Sequence, residues 1–364
     1  MKKISLCTVC MNRGSHLVQT LPVNITENMD YPHVEFVVLD YNSKDNVGDW
    51  IKQALGDHIR SGLLKYYKTV EPEYFHSSHA KNMALKLGTG DIVSMVDADN
   101  YAGPGYAQWI NDTFASHGRN TIITTLRKDS IPHRDQGGKF CLDREQFYAI
   151  GGLDEDLVGY GMEDTDLINR MENAGGRRIY IEDDKYLGAI KHSNEDRLRN
   201  FKFTHSLGKL YLRVFEPDPT ITHLLYFFKD HTFSEVRYTF HDSLKNNQVR
   251  SFYGWVIEED GLRQGVHRHL DADISLSFDD GEIFSCKATK TGIQISSDRR
   301  GQSTWKEIAT EEDLYFTYSI GYTECLNRRR YENNDKNRHS INPNGWGKGM
   351  VYRNFDDAET FEVL

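Results

Sequence analysis

Two short stretches concentrate carboxylates where chemistry could use them. The first, GYGMEDTDLINRM at 159–171, sets Gly159 and Gly161 around Tyr160 and then brings in Glu163, Asp164 and Asp166. Acids suit the first turn of a helix, because they complement the positive end of its dipole. Two glycines just before them serve no such purpose, but without a Cβ they let the backbone come close to a ligand. The second stretch, DIVSMVDADN at 91–100, puts Asp97 and Asp99 one residue apart at the end of an apolar run. Side chains alternate along an extended strand, yet at its frayed end both carboxylates can turn toward one ligand. Hard oxygen donors of this kind suit Mg²⁺ or Mn²⁺, ions that also neutralise a diphosphate.

The elements that must position these residues follow from hydrophobic pattern. Residues 3–10 and the run VEFVVLD at 34–40 read as strands, and SHLVQTLPVNITEN between them has helical spacing interrupted by Pro22. Then come a helical VGDWIKQAL, a short strand near LLKYYKT, a helical SHAKNMALKLG and the strand that leads into Asp97. Strands alternating with helices predict parallel pairing in an α/β sheet, where ligands gather beyond the carboxyl ends of strands. Three such ends carry polar residues: MNR at 11–13, Asp40, and the Asp97–Asp99 pair.

Beyond about residue 195 the composition changes. LGKLYLRVF and HLLYFFKDHTFSEV predict an aromatic-rich helical segment, and from Val249 the sequence alternates, as in DISLSFDDGEIFSCKA, where Ile274, Leu276 and Phe278 share a face and DDG supplies a hairpin turn. The expected organisation is an α/β domain over 1–200, a helical connector over 201–248 and a β-rich domain over 249–364.

Length and composition agree with two domains, since 364 residues exceed what one core usually supports and a 38% hydrophobic content is enough for burial. A net charge of −10 argues against a protein whose main task is coating nucleic acid. No apolar run reaches the length of a membrane span or signal segment, so the expectation is a soluble, cytoplasmic protein. The cysteines at 7, 10, 141, 286 and 325 form an odd, scattered set that fits a reducing compartment. Cys7 and Cys10 make a C-x-x-C inside a strand with no second pair nearby, which reads as buried thiols rather than zinc or redox chemistry.

The order of Asp40, AKNMALKLGTGDIVSMVDADN and GGLDEDLVGYGMEDTDLINRM resembles family 2 glycosyltransferases of the GT-A fold. The last segment is especially similar to the galactosyltransferase-like members, whose signature is an aromatic between glycines followed by Glu-Asp. The resemblance covers about residues 3–200 and does not extend to 249–364.

What it implies is an inverting, metal-dependent transfer of a hexose from a UDP-sugar to a hydroxyl of a glycan or other acceptor. Asp99 would be a direct ligand of Mn²⁺ or Mg²⁺, with Asp97 sharing the metal or lying near the ribose. His192 in AIKHS would complete the site; Ala189 stands where that group carries methionine, which leaves the preferred metal open. Asp40 would accept from the uracil ring, Arg13 would lie near the base or phosphates, and Lys81 would help hold the diphosphate. Asp164 matches the catalytic base and Glu163 a binder of donor or acceptor hydroxyls, while Asp166 caps or orients the helix. Gly159 and Gly161 would let the sugar approach, with Tyr160 stacking on it where relatives often carry tryptophan.

Two other readings remain open. One is a non-catalytic carbohydrate- or nucleotide-binding protein on the same scaffold, against which the joint presence of Asp97, Asp99, Asp164 and His192 counts. The other keeps the transferase but gives it a nucleic-acid acceptor. Overall acidity weighs against that, while the basic 328–353 stretch, with Arg328, Arg329 and Arg330 near Tyr331, Trp346 and Tyr352, keeps it in view either as a grip for an anionic acceptor or as a solvated loop.

Overall fold

The computed structural model of the chain describes residues 1–126, 137–240, 254–270, 273–297, 301–337 and 341–364. They divide into two units, one formed by 1–158, 162–192 and 334–364, the other by 159–161 and 193–333.

The first unit runs β1 (Ile4–Cys10), α1 (Gly14–Thr26), β2 (Val34–Tyr41), α2 (Val47–Ala54), α3 (Gly56–Arg60), β3 (Leu64–Thr69), α4 (Ser77–Leu87), β4 (Ile92–Met95), α5 (Tyr106–His117), β5 (Thr121–Thr124), β6 (Phe140–Asp143), α6 (Arg144–Ala149), α7 (Glu163–Asn173) and β7 (Arg177–Tyr180). Strands β1 to β4 alternate with helices as the sequence pattern requires. β1 pairs in parallel with both β2 and β4, and β2 with β3. Buried on both faces, β1, β2 and β4 read as largely apolar runs, whereas β3 keeps Lys65 and Lys68 only half-buried. One face of the sheet is covered by Leu17, Leu21 and Ile25 of α1 and by Tyr106, Ile110 and Phe114 of α5. The other packs on Met83 and Ala84 of α4, Phe147 of α6, and Leu167 and Met171 of α7. Pro22 lies inside α1 and does not break it. Cys7 and Cys10 fall in the two different cores, and all five cysteines are free and buried. Burial pushes the Cys10 thiol up to about 12, which leaves it an inert packing group.

The second unit contains α8 (Asn194–Leu198), α9 (Lys202–Ser206), β8 (Leu207–Arg213), β9 (Ile221–Phe228), β10 (Thr232–Phe240), β11 (Trp255–Leu270), β12 (Asp273–Phe278), β13 (Ile283–Ala288), β14 (Gly292–Ser297), β15 (Gly301–Ile308) and most of the long helix α10 (Asp313–Asn337). Its strands close into an antiparallel barrel in the order β10-β11-β12-β13-β14-β15-β8-β9. Closure leaves no strand edge unpaired. Leu225 and Phe227 of β9 join Phe233, Leu276 and Phe278 in one core, while Leu224 and Tyr226 of the same strand join Tyr315 and Tyr322 of α10 in another.

Two expectations need correction. The segment 201–248 is no helical connector: after α9 its described residues form β8, β9 and β10. HLLYFF is apolar on consecutive positions because β9 buries both faces, and such a run cannot be told from helix by period alone. The expected boundary at 248–249 lies outside the described residues. Nor does 249–364 stay together, because β16 (Gly349–Arg353) and β17 (Asp356–Val363) belong to the first unit. There β16 pairs antiparallel with β3, giving a nine-stranded mixed sheet of order β17-β16-β3-β2-β1-β4-β6-β5-β7.

Candidate active site

The carboxyl ends of β1, β2 and β4 carry the residues that the strand pattern marks. Asp97 and Asp99 lie two and four residues past the end of β4. Past them the chain forms a clip with a segment ninety residues downstream. Asn100 and Ala189 make an antiparallel bridge, the Ile190 amide donates to the Asp99 carbonyl at 2.8 Å, and the Tyr101 amide donates to the Gly188 carbonyl at 2.9 Å. That clip brings His192 to Asp99, with Nε2 2.6 Å from Oδ2. Asn100 donates to the other oxygen, Oδ1, at 2.7 Å. Burial works to raise the Asp99 carboxyl, but the hydrogen bond and charge of His192, with Asn100, outweigh it and hold the group below its usual range.

A second cluster forms where α4 meets the N-terminus of α7. Lys81 Nζ lies 2.7 Å from both Asp164 oxygens and 3.4 Å from Glu163 Oε1, and Ser77, one helical turn earlier, donates to the same Glu163 oxygen at 2.7 Å. Burial pushes the Asp164 carboxyl up to about 7; Lys81 opposes this, while the charges of Glu163 and Asp97 add to it. Asp97 is raised as well, first by burial and then by Asp99 and Glu163, against the pull of Lys81. Glu163 is lowered: burial would raise it, but Lys81 and the Ser77 hydroxyl prevail. Thus one ammonium serves several buried carboxylates. The excess negative charge suits a divalent cation, and a carboxylate–imidazole pair with a second carboxylate beside it is a fitting donor set for Mn²⁺ or Mg²⁺. Among the described residues no three His, Cys, Asp or Glu side chains are already gathered around one point. Ions of this type commonly take only one or two carboxylates from the protein and the rest from water and substrate phosphates.

Other expected residues have different surroundings. Lys81 is occupied by the acid pair rather than standing as an open cation for a diphosphate. Asp40 is 1% exposed and closes its own loop, accepting from the Ser43 amide at 2.7 Å and the Tyr66 hydroxyl at 2.6 Å. Arg13 lies just before α1 with Nη1 3.4 Å from His16 Nδ1. His16, which the sequence reading missed, has its ring 5.5 Å from that of His192. Its place in the first turn of α1 gave no spacing signal for a partner so far along the chain. Asp166 pairs with Arg170 at 2.7 Å, and that guanidinium also donates to the carbonyls of Ile150 and Gly152.

Gly159 and Gly161 have φ of +89° and +97°, a region that only glycine enters cheaply. With Tyr160 they cluster in the second unit, where Arg197 Nη1 donates to the Tyr160 hydroxyl at 3.1 Å and Phe201 meets its ring edge-on. The basic 328–353 stretch is split between the units. Arg328 on α10 donates to the Trp255 carbonyl and pairs with Glu324, whereas Trp346 packs against Phe147 in the first unit with Lys86 over its ring.

Residues 5–139 match the family model for glycosyl transferase family 2, and residues 127–195 match that for the N-terminal domain of galactosyltransferase. A curated relative, the glucosyl-dolichyl phosphate glucuronosyltransferase of Haloferax volcanii, is 24% identical over 185 residues, which cover 50% of this chain and 53% of that protein. The chain thus spans about half the length of the relative it matches. Among solved structures it is similar to the mannosyltransferase PcManGT from Pyrobaculum calidifontis in complex with GDP-Man and Mn²⁺, at 22% identity and a TM-score of 0.43 over 52% of this chain and 57% of that one. It is also similar to the catalytic domain of Drosophila beta1,4-galactosyltransferase 7 in complex with xylobiose, at 14% identity and a TM-score of 0.38 over 56% and 75%. Among the described residues no helix is long and apolar enough to cross a membrane.

Proposed function

We propose that the chain moves a hexose from a UDP-sugar to an acceptor hydroxyl with inversion, a reading supported by the match of residues 5–139 to glycosyl transferase family 2 and of residues 127–195 to the N-terminal domain of galactosyltransferase. The observation that carries this reading is the meeting of Asp99 with His192 at 2.6 Å beyond the end of β4, where α/β sheets bind ligands. A divalent cation held by these two residues, with Asp97 beside them, would supply positive charge to the departing diphosphate.

The chain's own residues do the rest. Asp164 takes the acceptor proton as that oxygen attacks the anomeric carbon and the bond to the diphosphate breaks, so UDP leaves as the new glycosidic bond forms. A base whose pKa lies near neutrality is matched to that task. Lys81 orients the Asp164 carboxylate and offsets the cost of burying it, while Ser77 fixes Glu163 toward sugar hydroxyls. His16, whose ring lies beside that of His192, and Arg13, in contact with His16, would add donor groups for phosphates.

Donor hydrolysis tests the reading before the acceptor is known. A panel of UDP-sugars and GDP-mannose, each with Mn²⁺, should show slow release of UDP from at least one UDP-sugar and none after EDTA. Hydrolysis of GDP-mannose alone would overturn the UDP assignment.

A further inference from the structure

Lys139 lies at the other end of the clip that carries His192, and it is 0% exposed. Its ammonium donates to the Tyr101 carbonyl at 2.6 Å and to the Tyr186 carbonyl, with the Tyr106 ring 5.6 Å away. Tyr101 is two residues past Asp99, and Tyr186 precedes His192 in the returning segment. The clip is therefore fastened at three levels: Lys139 across Tyr101 and Tyr186, the backbone bonds around Asn100 and Ala189, and the Asp99–His192 contact. The preceding residue completes the arrangement, for a Cβ on Gly138 would fall 1.9 Å from Asp97 Oδ2. Gly138 thus lets the chain lie against one acidic residue while Lys139 reaches behind the other.

A fully buried lysine that bonds to carbonyls is costly as a packing choice, since its charge needs compensation. Burial pulls its ammonium down to about 8, and the negative charges of Asp97 and Asp99 are among those that oppose this. We propose that Lys139 is a positioning residue for the metal pair: it staples the Tyr101 and Tyr186 carbonyls so that His192 arrives beside Asp99. The proposal rests on the reading of Asp99 and His192 as metal ligands given above.

Electrostatics and positioning predict opposite signs when the charge is removed. Taking a cation from behind two carboxylates should by itself strengthen binding of a second cation. Losing the staple should weaken it, because the ligands are no longer pre-organised. The test is the Mn²⁺ binding isotherm of the full chain, followed by the electron spin resonance of free Mn²⁺, for wild type and Lys139→Met, with thermal unfolding measured alongside. The expected result is at least about a tenfold weaker Mn²⁺ affinity in a folded variant. Equal or tighter Mn²⁺ binding overturns the proposal. If Lys139→Met does not fold, wild type decides through hydrogen exchange: the Tyr101 and Ile190 amides should gain protection when Mn²⁺ and UDP are added, and unchanged exchange at both overturns it. A wild type that binds no Mn²⁺, with or without UDP, would instead defeat the ligand reading on which the proposal stands.

Discussion

Lys81 reaches across from α4 to Asp164 at the start of α7, with its ammonium 2.7 Å from each carboxylate oxygen. Both side chains are largely buried, so neither charge can be relieved by water if the other is removed. Breaking a buried pair from one side typically costs about 3–5 kcal/mol. Lys81→Met should therefore lower unfolding free energy by up to about that much in urea titrations above pH 8, where Asp164 is ionised in the pair, and by less at neutral pH. The double variant Lys81→Met/Asp164→Asn should recover a substantial part of the loss. Additive losses in the double variant would show that the two groups are not coupled.

Asp164→Asn should leave UDP binding nearly intact while lowering turnover by about 10²–10⁴. The amide keeps the size of the carboxylate and can still meet Lys81 through its oxygen, yet it cannot accept the acceptor's proton. Retention of more than about a tenth of wild-type turnover would reduce Asp164 to a helix-start acid.

The pH profile supplies a second check on the same group. A carboxyl raised to about 7 is protonated, and useless as a base, below that pH. Activity dependent on the deprotonated form must then rise through neutrality, so kcat/KM for the donor, which reports the free enzyme, should fall about tenfold per unit on the acid side. A profile flat from pH 5 to 8 would contradict the assignment.

The C-terminal return should matter to the first unit rather than to the barrel. Asn354 accepts from the Tyr66 amide at 3.0 Å and donates back to its carbonyl at 2.8 Å, and Phe355 stacks on the Tyr66 ring at 4.3 Å. Tyr66 in turn donates to Asp40. Removing residues 341–364 should therefore speed amide exchange in β3 and β2 while leaving β12 and β13 unchanged. Faster exchange confined to the barrel would place the segment in the wrong unit.

The contrast between these two units explains what could be read in advance. In the α/β part short apolar strands alternate with helical runs, so Asp97 and Asp99 are marked by their place just past a strand and Asp164 by its place after two glycines. The barrel gave mixed signals: DISLSF alternates because β12 has one buried face, whereas HLLYFF does not because β9 is covered on one side by the barrel core and on the other by α10. Residues that depend on distant pairing were harder still. Lys139 and His16 have no local signature, since what makes them notable is the Asp99–His192 clip, and the antiparallel addition of β16 to β3 joins positions nearly three hundred residues apart. The occupation of Lys81 by Asp164 and the closure of Asp40 by Tyr66 are likewise invisible without the fold.

If Asp99 and His192 hold a metal for a nucleotide diphosphate, calorimetry of UDP binding will register it. Wild type titrated with UDP should bind appreciably tighter in Mn²⁺ than in EDTA, and Asp99→Asn and His192→Ala should each lose that difference while remaining folded by circular dichroism. Outer partners of metal ligands are already worth about 10–100-fold in affinity, so loss of a ligand should cost at least as much. Equal UDP affinity with and without Mn²⁺ in wild type, or a full metal effect in both variants, would rule out Asp99 and His192 as ligands of a metal that holds the diphosphate.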